Sequence, residues 1–428
     1  MNPYIRQVSL YYLPLVILLI LGGGYTYQGE VDREILRLKS QEKSEVDLAA
    51  NSIEQNLKFL KEEIALLANS PLLEKLIKTN NDEVIKELTQ SFYNLASIRT
   101  NYHQIRWLDK TGKERIRIDT NAGISKVIDK EKLQNKANRY YFSDSVVLGK
   151  GDFYFSRFDL NIEHGQVEKP FRPMLRIATP VFDRNLDNHG IVIINFSGQK
   201  IIDDFLEQFS NHNVEHAMLV DGEGYWLHSK NKEKSWAFMF GREDSFHKEF
   251  KTEWENISSL KNGQFINETG LFTFKNILIN PADSQNAVKN SLYAVSYYPD
   301  DDINSLLFNA RYKIWGSVVF LLLIGLLGSI LLARATVANE KSRRENEVNK
   351  IRNLLLNSMT EGVIGVDQSG LCTFINTAAL NYLGYTEKEC LKTNLHNLVH
   401  FKHPDGSNYP ESECPTTKTL LDGHVHQG

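Results

Sequence analysis

At about 100–200 residues per domain, 428 residues make two to four folded units and exclude a single small module. Ordinary globular proportions, 42% hydrophobic and 24% charged, exclude a disordered chain and a multi-span transporter. A net charge of -4 from 49 basic and 53 acidic side chains gives no footprint for DNA or RNA, so nucleic acid is not expected as a partner.

In chain order, the first predicted element after a short terminus (residues 1–7) is an apolar helix over 8–27, free of acids and bases. A second uncharged run covers 314–333, bounded by Lys313 and Arg334, and the predicted span is 313–333. At 1.5 Å per residue each run reaches about 30 Å, the thickness of bilayer hydrocarbon. Lipid leaves a helix as the only form that satisfies the backbone. Beyond the second run lie Arg334, Lys341, Arg343, Arg344, Lys350 and Arg352, and before it lie Asp300, Asp301 and Asp302, so the basic side is expected in the cytoplasm. A cleaved signal peptide with Arg6 as its basic region is the alternative for the first run. Residues 28–312 are expected outside the inner membrane on either reading. Cys372, Cys390 and Cys414 all lie beyond the second run, so the exported part has no disulfide framework.

Within it, Ile53, Leu57, Leu60, Ile64 and Leu67 recur at spacings of four and three, continuing Ile35, Leu38 and Val46. This predicts a long amphipathic helix over 28–70, stopped or bent by Pro71. The same heptads fit packing on the helix's own domain and pairing between two subunits. Two stretches of strand, tight turn and strand follow, over 71–210 and 211–312. The first runs His103 to Asp109 and Lys113 to Asp119 about Lys110-Thr111-Gly112, with strands at Phe153 to Phe158, Met174 to Phe182 and Gly190 to Phe196. The second joins Ala217 to Asp221 with Tyr225 to His228 about Gly222-Glu223-Gly224, then Gly263 to Ile266, Leu271 to Ile279 and Leu292 to Tyr298. With helices at Lys200 to Phe209 and Phe246 to Ile257, each stretch predicts an α+β unit with a mainly antiparallel sheet.

A membrane-emergent helix followed by two such units resembles the double Cache sensor domain of bacterial transmembrane receptors. The strings carrying the likeness are Arg139-Tyr140-Tyr141-Phe142, Tyr154-Phe155-Ser156 with Asp159-Leu160-Asn161, Pro173-Met174-Leu175-Arg176, Thr179-Pro180-Val181-Phe182-Asp183 and Trp236-Ala237-Phe238-Met239. The resemblance covers about residues 30–310. It implies a small ligand, an organic anion or amino acid, held in the membrane-distal unit. Its nearest matches to the residues clasping carboxylate and ammonium are Arg139, Tyr141, Tyr154 and Asp183. Tyr141 and Phe142 depart from the family's tryptophan and tyrosine. Arg176 joins the candidates because alternation can point it inward, and Arg157 stands beside it on the same argument. Chemically, a guanidinium fork grips a carboxylate and acids with aromatic rings hold a cation. Surface pairing of Arg139 and core packing of the tyrosines are the alternative.

After Arg334, Val337, Lys341, Arg344, Val348, Ile351 and Leu355 recur at heptad-like spacing, which predicts a signalling helix over 334–353 with a dimer seam. From 354 onward, Gly362-Val363-Ile364-Gly365-Val366-Asp367, the turn Gln368-Ser369-Gly370, and Leu371-Cys372-Thr373-Phe374-Ile375-Asn376 resemble the first half of a PAS domain. Lys392 stands where that family has glycine. Residues 354–428 are fewer than a PAS fold uses, so an incomplete domain and an absent output domain are expected. Cys414, His403, His424 and His426 lack paired metal-ligand spacing, so no metal, and likewise no cofactor, is expected. No catalytic motif occurs. The fold class expected is an α+β membrane protein with two transmembrane helices. The function expected is a homodimeric inner-membrane receptor relaying a small periplasmic ligand to a cytoplasmic PAS module. Its implied output is a histidine kinase, with a diguanylate cyclase or phosphodiesterase, then a chemoreceptor, as alternatives.

Overall fold

The computed structural model describes residues 2–163, 165–210, 213–279 and 291–427. The chain divides into two bodies, Gly24–Trp315 and the combination of Met1–Gly23 with Gly316–Gly428. Among the described residues, two helices are long and apolar enough to cross a membrane: α1 (Pro3–Ala68) and a later one beginning at Asp300.

In the Gly24–Trp315 body, α1 ends before Pro71, which opens α2 (Pro71–Thr79) at its first turn, where a missing N–H costs nothing. The Asn81 side chain accepts the Glu83 N–H and starts α3 (Asp82–Ile98). Seven strands then form one antiparallel sheet together with a cap helix. They are β1 (Tyr102–Leu108), β2 (Glu114–Asn121) and β3 (Ile124–Val127), α4 (Tyr140–Val146), then β4 (Tyr154–Phe155) and β5 (Asp159–Leu160). A separate small hairpin, β6 (Ile162–Glu163) with β7 (Gln166–Val167), precedes the long strands β8 (Pro173–Phe182) and β9 (Asn188–Ser197). The order is β3-β2-β1-β9-β8-β4, with β5 also on β8.

One face of this sheet is apolar. Ile105, Trp107, Ile118, Ile177, Val192 and Ile194 pack with Ile53, Leu57, Leu60 and Ile64 of α1 and with Leu73, Leu88 and Phe92 of α2 and α3. The heptads of α1 therefore pack on the helix's own domain. Gly190 enters β9 with φ 107°, and a Cβ there would lie 1.9 Å from the Leu108 carbonyl oxygen, so only glycine lets β9 close on β1.

α5 (Gly198–Leu206) leads into the second unit, whose sheet has the order β11-β10-β14-β13-β12. Its strands are β10 (Ala217–Asp221) and β11 (Trp226–His228), then, after α6 (Phe246–Glu249) and α7 (Lys251–Leu260), β12 (Asn262–Asn267), β13 (Gly270–Ile277) and β14 (Leu292–Pro299). The predicted helix over Phe246 to Ile257 is two helices, broken at Phe250. Trp226, Phe246, Phe272 and Phe274 form an aromatic core of their own.

From Asp300 the chain runs as α8 (Asp300–Ser358). In the other body, β15 (Ile364–Val366) pairs antiparallel with β16 (Cys372–Ile375). Asn376 caps α9 (Thr377–Leu383), closed by Gly384 at φ 71°. The short helices α10 (Glu387–Cys390), α11 (Leu395–Val399) and α12 (Pro415–Asp422) follow, around Cys372, Ile375, Ala379 and Cys390.

Candidate functional site

The second face of the seven-stranded sheet is polar at its centre and still buried. Alternation along β1 puts Gln104, Arg106 and Leu108 opposite the apolar face. Register places Gln104 across from Asp119 and Asn195, Arg106 across from Arg117 and Ile193, and Arg176 across from Asn195. Four adjacent strands thus carry one polar band. Above it lies α4, whose Tyr141 and Phe142 pack with Leu108, Ala178, Ile191, Ile193 and Tyr154. The short helix is a lid that removes this face from water.

Arg106 sits at the middle, 3% exposed. Its Nη2 donates to Asn195 Oδ1 at 2.9 Å, its Nη1 to the Tyr141 hydroxyl at 3.2 Å, and Nη1 lies 3.5 Å from Glu114 Oε1. Asn195 in turn donates to Gln104 Oε1 at 3.0 Å. The Arg106 Nε is buried with no acceptor among the described residues. Burial favours the neutral Tyr141 phenol, but the charge and hydrogen bond of Arg106, joined by the charges of Lys136 and Arg176, together outweigh it and hold the pKa below its usual value.

Arg176 forms the second centre. Its Nη1 donates to Asp159 Oδ1 at 2.7 Å and to the Tyr140 hydroxyl at 3.4 Å, while Tyr140 donates to Asp159 Oδ2 at 3.2 Å. Burial, reinforced by Asp159, pushes the Tyr140 phenol up to about 12. Burial works against the Arg176 charge, yet Asp159 beside it raises the pKa further. The arginine stays cationic. Tyr154 donates to Asp144 Oδ2 at 3.1 Å and ties β4 to α4. A cavity of about 390 Å³ shares Glu114 and Arg117 with this network, and Lys113, Arg115 and Lys130 also line it.

Of the residues singled out from sequence, Tyr141, Tyr154 and Arg176 come together on this face. Arg139 stands apart: it is the exposed residue before α4, and no hydrogen bond or ion pair of its side chain occurs among the described residues. Asp183 also stands apart, because its Oδ1 caps the β8–β9 turn through the N–H groups of Asn185 and Asp187, and its Oδ2 meets His189 at 3.2 Å. Those turn N–H groups, led by that of Asp187, hold its carboxyl below the usual range. Arg157 points out of the band, toward Asp221 and Glu223. Sequence reasoning missed Arg106, Asn195 and Asp159 as partners. The available signal was Arg106 between Ile105 and Trp107 in a strand, a charge where alternation alone leaves burial open.

In the C-terminal segment, Cys414 is buried with Sγ 3.5 Å from His400 Nδ1. Burial opposes ionisation there, but N–H groups of Thr416 and Thr417 and the two imidazoles of His396 and His400 bring the thiol down to about 6. His424 and His426 are exposed, and no metal-holding group occurs among the described residues.

Residues 40–288, more than half of the chain, match the family model of the bacterial histidine kinase sensor domain. Residues 350–418 match the PAS fold. Among solved structures, the chain is similar to a domain of a sensory box/GGDEF family protein from Vibrio parahaemolyticus, with 18% identity and TM-score 0.54, covering 63% of this chain and 99% of that one. It is also similar to the extracellular domain of the protein described as histidine kinase vpHK1S-Z8, with 18% identity and TM-score 0.53 over 66% and 95%. These likenesses concern the fold. The ligand-binding domain of the Campylobacter jejuni chemoreceptor Tlp3, in complex with L-valine, is more remote, with 10% identity and TM-score 0.44 over 65% and 98%. No curated relative matches the sequence.

Proposed function

The chain belongs to the bacterial histidine kinase sensor-domain family, and from that premise we propose that it senses a small carboxylate-bearing, amino-acid-like ligand under α4. The observation that carries this is the pairing of two buried arginines on one lidded sheet face, Arg106 with an Nε that lacks an acceptor. A buried donor left unpaired is costly, and a ligand carboxylate is a suitable acceptor for it and for the guanidinium edges nearby. Asp159 and Glu114 supply negative charge for an ammonium group, and Tyr140 and Tyr141 supply aromatic surface. Arg139 and Asp183 are not in the proposed set, which is Arg106, Tyr140, Tyr141, Tyr154, Asp159, Arg176 and Asn195.

Residues 28–312 are placed in the periplasm, between spans at 8–27 and 313–333 of the inner membrane, with residues 334–428 in the cytoplasm. The basic flank of the second span supports this orientation. Signal passes along α8 to the PAS fold. Val348, Ile351 and Leu355 are exposed on α8 at spacings of three and four, a seam for the same helix of a second copy. Membership in the sensor family favours a histidine kinase as the output.

The test is calorimetry of the full chain in lipid nanodiscs against the twenty amino acids and a panel of small carboxylic acids. With a binding compound in hand, Arg106→Gln is expected to weaken it by about 30-fold or more, the loss of a charged hydrogen-bonding partner, and Arg139→Ala to leave it unchanged. Unaltered binding by Arg106→Gln, or a large loss with Arg139→Ala, overturns this assignment.

A further inference from the structure

We propose that Arg157 is the positioning residue that couples the lidded sheet face of the distal unit to the membrane-proximal unit. The inference rests on the reading of that face as the ligand site.

The argument begins with the six residues Tyr154 to Asp159. Both ends belong to the polar face: Tyr154 bonds Asp144 beside the lid, and Asp159 holds Arg176 and Tyr140. Both ends are also strand-paired to β8. Between them, Ser156 locks to Arg176 in both directions. The Ser156 N–H donates to the Arg176 carbonyl at 2.9 Å, and the Arg176 N–H donates to Ser156 Oγ at 3.1 Å. A shift of Arg176 is therefore passed to the backbone at Ser156.

The next side chain faces the other unit. Arg157 Nη2 pairs with Asp221 Oδ2 and lies 2.9 Å from Glu223 Oε2, and its guanidinium sits 3.7 Å from the centre of the Phe238 ring. Asp221 is 1% exposed and divides its two oxygens. Oδ1 accepts the N–H groups of Glu223 and Tyr225, building the β10–β11 turn, while Oδ2 is the one given to Arg157. The neighbouring Phe158 packs edge-on against Trp236 at 5.5 Å. It also closes on Gly198, where an added Cβ would lie 2.1 Å from the ring. The segment is fastened to the proximal unit along its middle and to the ligand-facing groups at its ends, and a side chain with a buried partner and a stacked ring transmits displacement instead of absorbing it.

The experiment needs no ligand, so its outcome is separate from that of the binding test on Arg106. Hydrogen exchange of the peptide spanning residues 217–228 is measured in the full chain in nanodiscs, for wild type, Asp159→Asn, Arg157→Gln and the double variant. Loosening the Arg176 pair with Asp159→Asn is expected to speed exchange in residues 217–228 at least about threefold when Arg157 is present, and to add nothing when it is Gln. Equal increments in both backgrounds, or no increment in the wild-type background, overturn the proposal. If Arg157→Gln fails to fold because Asp221 is left buried and unpaired, Arg157→Gln combined with Asp221→Asn removes both charges together and gives the same reading. Arg157→Lys, which keeps the charge but loses the fork, is expected to restore part of the Asp159→Asn increment, a graded response that a merely structural role does not produce.

Discussion

Glu42 lies within an α1 pattern that reads as heptads, yet it is 0% exposed, bonded by Ser296 and Asn213, with Glu45 sharing the same Asn213 amide. Burial, with the Glu45 charge adding to it, raises its pKa from 4.5 to about 7. A carboxyl that holds its proton more tightly when folded stabilises most at pH values below its unfolded pKa. That contribution is lost as pH rises from about 4.5 through 7. Wild type is therefore expected to lose about 3 kcal/mol relative to Glu42→Gln across that window. Denaturant midpoints of the two proteins at pH 5 and pH 8 check this, and parallel pH profiles refute it. Lys392 shows the opposite case, in which a sequence departure was legible. It stands where the PAS pattern has glycine and adopts φ 60°, so Lys392→Gly is expected to stabilise the C-terminal body by about 0.5–1 kcal/mol, read as a rise in its thermal midpoint. Arg139 and Arg106 divide along the same line. A motif string pointed to the exposed one, and only the long-range packing of α4 over the sheet revealed the buried one.

Element by element, strands were easier to find than partners. Ala217–Asp221 coincides with its predicted strand because an apolar run ends on an Asp-Gly turn, and β8 and β9 are predicted to within two residues because long β-rich apolar runs mark them. β4 and β5 were not separable, since two-residue strands carry no period and exist only by pairing with β8. For α1, the spacing of Leu57, Leu60 and Ile64 fixed a helix but left its neighbour open, because a heptad seam and a domain-facing stripe share one periodicity. The structure puts Leu57 at 4% exposure inside the domain core and leaves Leu66 at 74%. Leu57→Ala is thus expected to cost about 2–4 kcal/mol through the cavity it leaves, and Leu66→Ala to change stability by less than about 0.5 kcal/mol in the protomer. Urea titrations of both variants check this, and equal losses for the two refute the packing of Leu57 in the domain core.

For the molecule as a whole, topology turns on two apolar runs, and the natural thiols are poor probes of it. Cys372, Cys390 and Cys414 are each 1% exposed or less, so failure to label them reports burial as readily as sidedness. Exposed positions on either side of the second span separate the two causes. Glu268, in the turn between β12 and β13, and Ser342, on α8 within the basic flank, are both exposed. Charged reagents do not cross hydrocarbon, because an ion there loses its hydration without replacement. In intact cells whose outer envelope admits small molecules, a membrane-impermeant maleimide is expected to label Glu268→Cys at once and Ser342→Cys only after the membrane is opened. Labelling of Ser342→Cys alone inverts the topology. It would place the Arg106 and Arg176 face in the cytoplasm and the PAS fold outside. Equal labelling of both variants in sealed cells would mean that the run from Ile314 to Ala333 does not cross. The basic cluster from Arg334 to Arg352 makes the expected result the favourable one, since each of those cations would otherwise have to be carried through the bilayer.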